Sequence, residues 1–385
     1  MALLLSEHKG GVMLYKLVRP RVFNFYRDDP ETAHEDALSL LEWIGHNPGL
    51  LKITEFMYRV QNPKLEQTLM GLKFPNPVGL AAGFSKNGEG ARGLVALGFG
   101  FLEIGKVTPP PQGGNPRQRM FRLTQDEALI NRMGFNNYGA KRVAKKVESL
   151  GKLFVPIGMS LGKAKDTPLE KAAEDYLACL VECYHVGDYF VINVSSPNTK
   201  NLRQLQDKPL LKEILQAVIA RAKDISWVFY GKTKRKPILV KIAPDLETGA
   251  IVDVLDLCQE LGLDGIIATN TTWSRQGLSF DPKEEGGMSG APLFNRALEV
   301  VKIIRKYNSS IPLIAVGGIS GDHQALQMMD AGANLVQLFT GLVYEGPEVV
   351  KNILHGILRH LRKMKLDNVT QIPAANLLAQ KATNE

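Results

Sequence analysis

From about residue 77 onwards, eight short and almost continuously apolar runs alternate with longer stretches of helical pattern. The runs are 77–82 (PVGLAA), 99–107 (FGFLEIGKV), 154–160 (FVPIGMS), 189–195 (YFVINVS), 237–243 (PILVKIA), 265–271 (GIIATNT), 312–318 (PLIAVGG) and 335–341 (LVQLFTG). A strand with one face in water alternates apolar and polar residues, whereas one buried on both faces reads as these do. Helical patterns lie between them at 169–186, 209–224, 248–262 and 293–307, and Thr248 marks a start ahead of the apolar pattern of 250–261. Eight buried strands with intervening helices predict the α/β class and a (β/α)8, or TIM, barrel. The competing architecture is a doubly wound open sheet, which usually carries a GxGxxG turn after its first strand; AAGFSKNGEG does not fit it. By length alone, 385 residues suggest two or so domains, but a barrel of this kind can run past about 250 residues as one domain, and 44% apolar content is ample for its core.

Residues 1–64 have a different texture. LYKLVRPRVFNFY, DPETAHEDALSLLEWIGH and NPGLLKITEFMYRV read as two or three short amphipathic helices punctuated by Pro and Asn. The stretch 65–76 (LEQTLMGLKFPN) reads as a β-hairpin closing the bottom of the barrel, which then occupies 65–363, and 364–385 reads as a polar, loose tail. Part of the +8 net charge is local, since residues 1–27 hold Lys9, Lys16, Arg19, Arg21 and Arg27 against Glu7. The charge suits anionic substrates, a phosphate-bearing cofactor or an acidic membrane surface, without choosing among them. On pattern alone the helical appendage could be a packing cap, a dimer surface or an interfacial anchor.

No segment reaches the roughly 18 uninterrupted apolar residues of a membrane span. Met1–Leu5 is too short for a signal peptide, and no A-x-A pattern follows it. Cys179, Cys183 and Cys258 form no disulfide framework, and the i, i+4 spacing of the first two is neither CxxC nor a zinc set, which points to a reducing compartment.

In a parallel β/α barrel, chemistry is done at the C-terminal strand ends and the loops after them. The strand-end turn 191–199 (VINVSSPNT) projects Asn193, Ser196, Asn198 and Thr199. The other ends supply Ala82, Gly83 and Lys86; Asn131 and Phe135 in the loop after the second strand; Ser160; Lys241; Thr269, Asn270 and Thr271; Ser289 and Gly290 in the loop after the sixth; Gly317 and Gly318; and Phe339, Thr340 and Gly341. Four asparagines thus converge on the mouth, and primary amides suit a flat heterocycle with alternating C=O and N–H groups, though each could instead satisfy a backbone loop. Glycines 287, 290, 317, 318 and 341 bare backbone N–H groups where barrels often cradle a phosphate, or serve tight turns. Lysines at strand ends are costly unless they meet anions. With no metal-binding set and no Ser-His-Asp arrangement, a planar redox cofactor bearing phosphate, FMN in particular, suits such a site better than a metal.

The runs NPVGLAAGF, LGFGFLEIG, VTPPPQGGNPR, FRL, INRMGFNN, VINVSSPNT, LVKIAPD, ATNTT, GGMSG, AVGGIS and LVQLFTGL resemble dihydroorotate dehydrogenases of the class 2, membrane-associated, quinone-reducing type, over about residues 12–362. The resemblance implies an FMN enzyme that oxidises (S)-dihydroorotate to orotate in pyrimidine biosynthesis. Ser196 would be the base that takes the C5 proton while hydride leaves C6 for flavin N5, and the serine's proton would leave along a path near Thr199 and Phe135. Lys86, Asn131, Arg132, Met133, Gly134, Phe135, Asn193, Asn198, Asn270 and Thr271 would hold the substrate, with Lys86 on its carboxylate. Ala82, Gly83, Lys106, Ser160, Asn193, Lys241, Thr269, Gly290, Gly318, Phe339 and Thr340 would surround FMN. Lys241 would favour the reduced, anionic flavin.

The resemblance also gives the N-terminal helices a role, as the mouth of an apolar tunnel for a membrane quinone, with His34 and Arg122 at its polar positions and Phe339 beside it. It implies a monomer in peripheral contact with the cytoplasmic face of a bacterial-type membrane, and no nucleic acid as partner. Departures from the family pattern are Ser85 for Asp, Lys106 for Ser or Thr near the flavin, Ser160 for a flavin-contacting Asn, and Phe339 for Tyr. They bear on FMN affinity and flavin potential more than on reaction type. They motivate the alternative of a flavin-poor, weakly active paralogue that binds orotate-like ligands. A flavin barrel acting on uracil in RNA lacks the basic patch with interleaved aromatics that it would need.

Overall fold

The eight apolar runs close on one another. In the computed structural model, which describes residues 10–199 and 202–373, they form β1 (Val78–Leu80), β2 (Phe101–Val107), β3 (Ile157–Leu161), β4 (Tyr189–Asn193), β5 (Ile238–Ile242), β6 (Gly265–Ala268), β7 (Leu313–Val316) and β8 (Leu335–Leu338). They pair in sequential order and in parallel, with β8 closing onto β1, so the predicted TIM barrel is present. Several strands stop short of their apolar runs: β6 ends at Ala268 and β8 at Leu338, and the residues beyond leave the ladder to build the site.

Side chains alternate inward and outward along each strand, so interior residues come in layers two positions apart. The lower layers are apolar: Phe101, Tyr189, Val191, Leu239, Ile267, Ile314 and Leu335 form one buried cluster with Phe74. Phe74 belongs to the expected hairpin, Gln67–Leu69 with Leu72–Phe74, and meets Phe101 edge-on at 5.3 Å, sealing the bottom. Two positions above the plug the same strands present Glu103, Asn193, Lys241, Thr269 and Gln337, all buried. The barrel is thus filled with hydrocarbon below and turns polar where a ligand would rest.

Helices α1 (Gly10–Phe25), α2 (Pro30–His46) and α3 (Pro48–Tyr58) precede the barrel, as the sequence predicts. Asp29 caps α2 by accepting from Thr32 N–H at 3.0 Å, with Pro30 in the first turn. Asn47 and Pro48 then end α2 and start α3. The segment α4 (Ala91–Ala96) packs so closely on α2 that a Cβ on Gly93 would lie 2.4 Å from the Leu41 carbonyl oxygen. Tyr15 Oη on α1 donates to Val343 O (2.6 Å) and Arg19 to Tyr344 O (2.7 Å), fastening the cap beside the end of β8.

Two expectations are corrected. Asn131, Ser289 and Gly290 do not lie in loops: Met120–Leu123, Ala128–Asn131 and Gly287–Gly290 form a three-stranded antiparallel sheet across the barrel mouth. The tail is not loose from 364 onwards, because Val369 and Ile372 are buried and Val369 N–H donates to Lys64 O at 2.8 Å. The remainder of the expected tail, 374–385, and Glu7 and Lys9 lie outside the described residues. The three cysteines are free and buried, and burial pushes the Cys183 and Cys258 thiols up to about 12.

Candidate active site

A cleft opens over the polar layer, between the strand ends and the three-stranded sheet. Its floor is a charge cluster. Glu103 Oε2 lies 3.5 Å from Lys241 Nζ and accepts from Gln337 Nε2 at 2.8 Å. Lys106 Nζ sits 3.5 Å from the centroid of the Phe135 ring, and it has no hydrogen-bond partner; nor do Glu103 Oε1 and Gln337 Oε1. Burial, then the neighbouring Lys241, holds the Lys106 ammonium well below the usual lysine range.

One wall is a network of amides. Asn198 Nδ2 donates to Asn131 Oδ1 (2.9 Å), while Asn198 Oδ1 accepts from Gly287 N–H (3.2 Å), so the β4 turn is laced to the extra sheet. Asn270 Nδ2 donates to Ser195 Oγ (2.9 Å) and Asn193 Oδ1 (3.3 Å), and its own Oδ1 accepts from Thr271 N–H (2.8 Å). Ser196 lies buried within this wall, its Oγ accepting from Asn198 N–H at 3.3 Å. Arg203 braces the turn from behind, donating to Ser195 O (3.1 Å) and Thr271 O (2.8 Å) and pairing with Asp245 at 2.7 Å.

Lys86 closes the opposite side. Its Nζ donates to Asn136 Oδ1 at 2.8 Å, and burial, only partly offset by Glu31, brings its pKa to about 8. A half-buried ammonium with one neutral partner is a receptor for a carboxylate. The far end is bare backbone. Gly290 and Gly318 have φ of +105° and +69°, and a Cβ would fall 2.2 Å from Glu127 O in the first and 2.5 Å from Phe294 Cβ in the second. Such a surface lets N–H groups approach a phosphate closely.

The cleft brings together nearly all the residues singled out from sequence. Ala82, Gly83, Lys86, Lys106, Asn131, Met133, Gly134, Phe135, Asn193, Ser196, Asn198, Lys241, Thr269, Asn270, Thr271, Gly290, Gly318, Phe339 and Thr340 all line it. Two do not. Ser160 is fully buried behind the wall, with its Oγ 3.5 Å from Asn193 Nδ2; its side chain is too short to reach past that amide. Arg132 turns outward, where it stacks on Phe121 at 4.4 Å and pairs with Glu284 at 2.7 Å.

Comparison with known proteins decides the family. The family model described as dihydroorotate dehydrogenase matches residues 64–361. The chain belongs to the dihydroorotate dehydrogenase family. A protein of Chloroflexus aurantiacus named dihydroorotate dehydrogenase (quinone) is 47% identical over 362 residues, covering 92% of this chain and 98% of that one. A protein of the same name from Thermosynechococcus vestitus is 46% identical, covering 89% and 95%. Among solved structures, DHODH of Eimeria tenella in complex with ferulenol superposes with a TM-score of 0.82 at 35% identity, covering 91% of this chain and 97% of that one.

Within this dihydroorotate dehydrogenase fold, the residues expected at a quinone tunnel lie around the junction of cap and cleft. His34 on α2 is bonded through Nε2 to Phe84 O (2.8 Å), meets the Phe84 ring edge-on at 4.6 Å and lies nearly parallel to Phe339 at 6.2 Å. Burial and the charge of Lys86 lower its pKa to about 4, so the imidazole is neutral at physiological pH. Arg122 lies further out, donating to Phe23 O (3.1 Å) and Tyr26 O (3.3 Å) at the end of α1. Sequence reasoning missed Glu103, Gln337, Asn136, Arg203 and the buried Arg119–Glu31 pair that docks α2. The alternation along β2 and β8 could have found Glu103 and Gln337, each two positions past a core residue. The others become neighbours of the site only through the fold.

Proposed function

We propose that this chain oxidises (S)-dihydroorotate to orotate, with FMN as its cofactor and a quinone as the acceptor, in pyrimidine biosynthesis. The observation that carries this reading is the convergence of Lys86, Asn131, Asn193, Asn198 and Asn270 around Ser196, above a floor that contains Lys241. A flat ring of alternating carbonyl and N–H groups, bearing one carboxylate, satisfies the amide wall and Lys86 together.

FMN fits the remainder of the cleft. The unpaired Gln337 Oε1 and Lys106 Nζ line the cleft and await polar partners, and the backbone at Gly290 and Gly318 offers a phosphate cradle that a side chain would block. Ala82, Gly83, Lys241, Thr269, Phe339 and Thr340 would complete the cofactor's surroundings. When bound, FMN supplies a two-electron acceptor that can pass electrons to quinone. These features count against the flavin-poor alternative.

The chain's own residues do the rest. Lys86 fixes the substrate carboxylate, and the asparagines fix the plane of the ring, so that Ser196 Oγ faces one reacting carbon. Ser196 is hydrogen-bonded to no carboxylate or imidazole among the described residues, so a proton taken at its Oγ must be passed on; Thr199 is buried in the same turn and Phe135 lines the same cleft. Arg203 holds this turn against the end of β6. His34, Phe84 and Phe339 make an aromatic neck through which an apolar acceptor reaches the cleft from the cap.

We infer peripheral contact with the cytoplasmic face of a membrane through α1–α3, whose Leu17, Phe25, Trp43, Ile53 and Phe56 are exposed. No helix among the described residues is long and apolar enough to cross a membrane. One chain lines the whole cleft, which supports a monomer as the acting unit. An anaerobic visible spectrum before and after dihydroorotate tests the reading. A yellow protein that bleaches and then recovers its colour with a quinone is the expected result. Turnover with fumarate or NAD and never with a quinone would refute it.

A further inference from the structure

The floor of the cleft holds more basic side chains than acidic partners for them. Two lysines, Lys106 at the end of β2 and Lys241 on β5, share one carboxylate, Glu103, and it is Lys241 that pairs with it, at 3.5 Å. Lys106 is only 7% exposed, has no hydrogen-bond partner, and lines the cleft with its Nζ over the Phe135 ring at 3.5 Å. Buried N–H donors are nearly always paired, and an aromatic face satisfies a cation only in part. Nor is this a lysine caught on its way to solvent. Its aliphatic stem lies along Gly162, just past β3, where a Cβ would come within 2.3 Å of Lys106 Cδ, so the side chain occupies a groove that the missing side chain leaves open.

We propose that Lys106 is a second cationic contact for the bound cofactor, adding to Lys241 in stabilising the negative charge that two-electron reduction places on the flavin. The inference rests on the FMN reading above. In the reductive step the C6–H bond of dihydroorotate breaks, its electron pair and hydrogen pass to the ring, and the C5 proton leaves through Ser196. The ring is left with one added negative charge. That charge is removed when quinone takes the hydride equivalent together with one proton from solvent. Burial and the neighbouring Lys241 disfavour the Lys106 ammonium on its own, and a negative charge arising on FMN beside it would favour that ammonium and be stabilised by it in turn.

The test is the midpoint potential of the bound FMN, measured anaerobically with a chemical reductant and an indicator dye, in the wild-type protein and in Lys106→Met, Lys106→Gln and Lys106→Arg. The expected result is that Met and Gln lower the equilibrium constant for two-electron reduction by at least about tenfold, equivalent to about 30 mV. Arg, which keeps the charge, restores most of it. A Gln variant that holds FMN at the wild-type potential overturns the proposal and leaves Lys106 a packing residue; Gln keeps polarity at this site should Met fail to fold. A wild-type protein that holds no FMN overturns both this inference and the functional reading. One that holds FMN but is not bleached by dihydroorotate fails the functional reading alone, because the potential is measured without substrate.

Discussion

Lys86 and Ser196 are the residues at which the chemistry of the cleft can be read most directly. The Lys86 ammonium titrates at about 8 because burial disfavours its charge more than Glu31 supports it. It is therefore protonated below that value and loses its charge as pH rises through it. Affinity for orotate, followed by its perturbation of the flavin band, is expected to be flat below about pH 7 and to fall up to about tenfold per unit above 8. An affinity that stays constant through the alkaline range would remove Lys86 from the carboxylate site. Ser196→Ala should keep FMN and orotate binding while slowing flavin reduction by about 10²–10⁴-fold, the span of a lost proton acceptor. Asn193, Asn198 and Asn270 were legible in the sequence because strand ends of a barrel point to one place. Ser160 and Arg132 were not, since reaching the cleft depends on side-chain length and direction: a seryl hydroxyl stops behind Asn193, and a guanidinium finds Phe121 and Glu284 instead.

Among the elements, α2 is the one whose docking joins the cap to the cleft. It is held by a buried two-point contact: Arg119 Nη2 lies 2.8 Å from Glu31 Oε1 and Arg119 Nε 3.0 Å from Glu31 Oε2. Removing one partner of such a pair strands a buried charge, so Glu31→Ala should destabilise the protein by about 3–5 kcal/mol, read from denaturant unfolding. Burial alone would raise the Glu31 pKa, but Arg119 overrides it and holds the carboxyl below its usual value. The stability it contributes is therefore present above the unfolded carboxylate value and lost as pH falls through the lower folded one. In the variant this acid-dependent loss should shrink. Gly93→Ala attacks the docking of α2 at a second point, where its Cβ would press the Leu41 carbonyl, and overpacking of this kind costs about 1–3 kcal/mol. Strands and helices with long periodic runs were legible from sequence, down to the closing hairpin. The three-stranded sheet was not, because Gly287–Gly290 pairs with Ala128–Asn131 across a long stretch of sequence, and a local pattern does not report such a pairing.

For the molecule as a whole, the proposed membrane contact is a property of the cap. The charge of residues 1–27 and the amphipathic pattern of the helices were visible in sequence, but pattern alone left cap, dimer and membrane surface open; the fold shows which apolar side chains the barrel leaves uncovered. Phe25 is 81% and Phe56 92% exposed, each on a helix that also presents exposed basic residues, Arg21 on α1 and Lys52 on α3. A phenylalanine side chain fully removed from water contributes about 1.5–3 kcal/mol, so even partial insertion of both amounts to at least about tenfold in partitioning. The double variant Phe25→Glu/Phe56→Glu should therefore release the protein from vesicles containing anionic lipid in a flotation assay. Because neither residue lines the cleft, bleaching of the flavin by dihydroorotate should proceed at the wild-type rate. Turnover should then divide by acceptor, falling with a long-chain quinone held in the vesicle and persisting with a short-chain quinone dissolved in water. Loss of turnover with both acceptors would mean that these side chains shape the neck itself, and equal turnover with both would mean that the quinone reaches His34 and Phe339 without the cap resting on a bilayer.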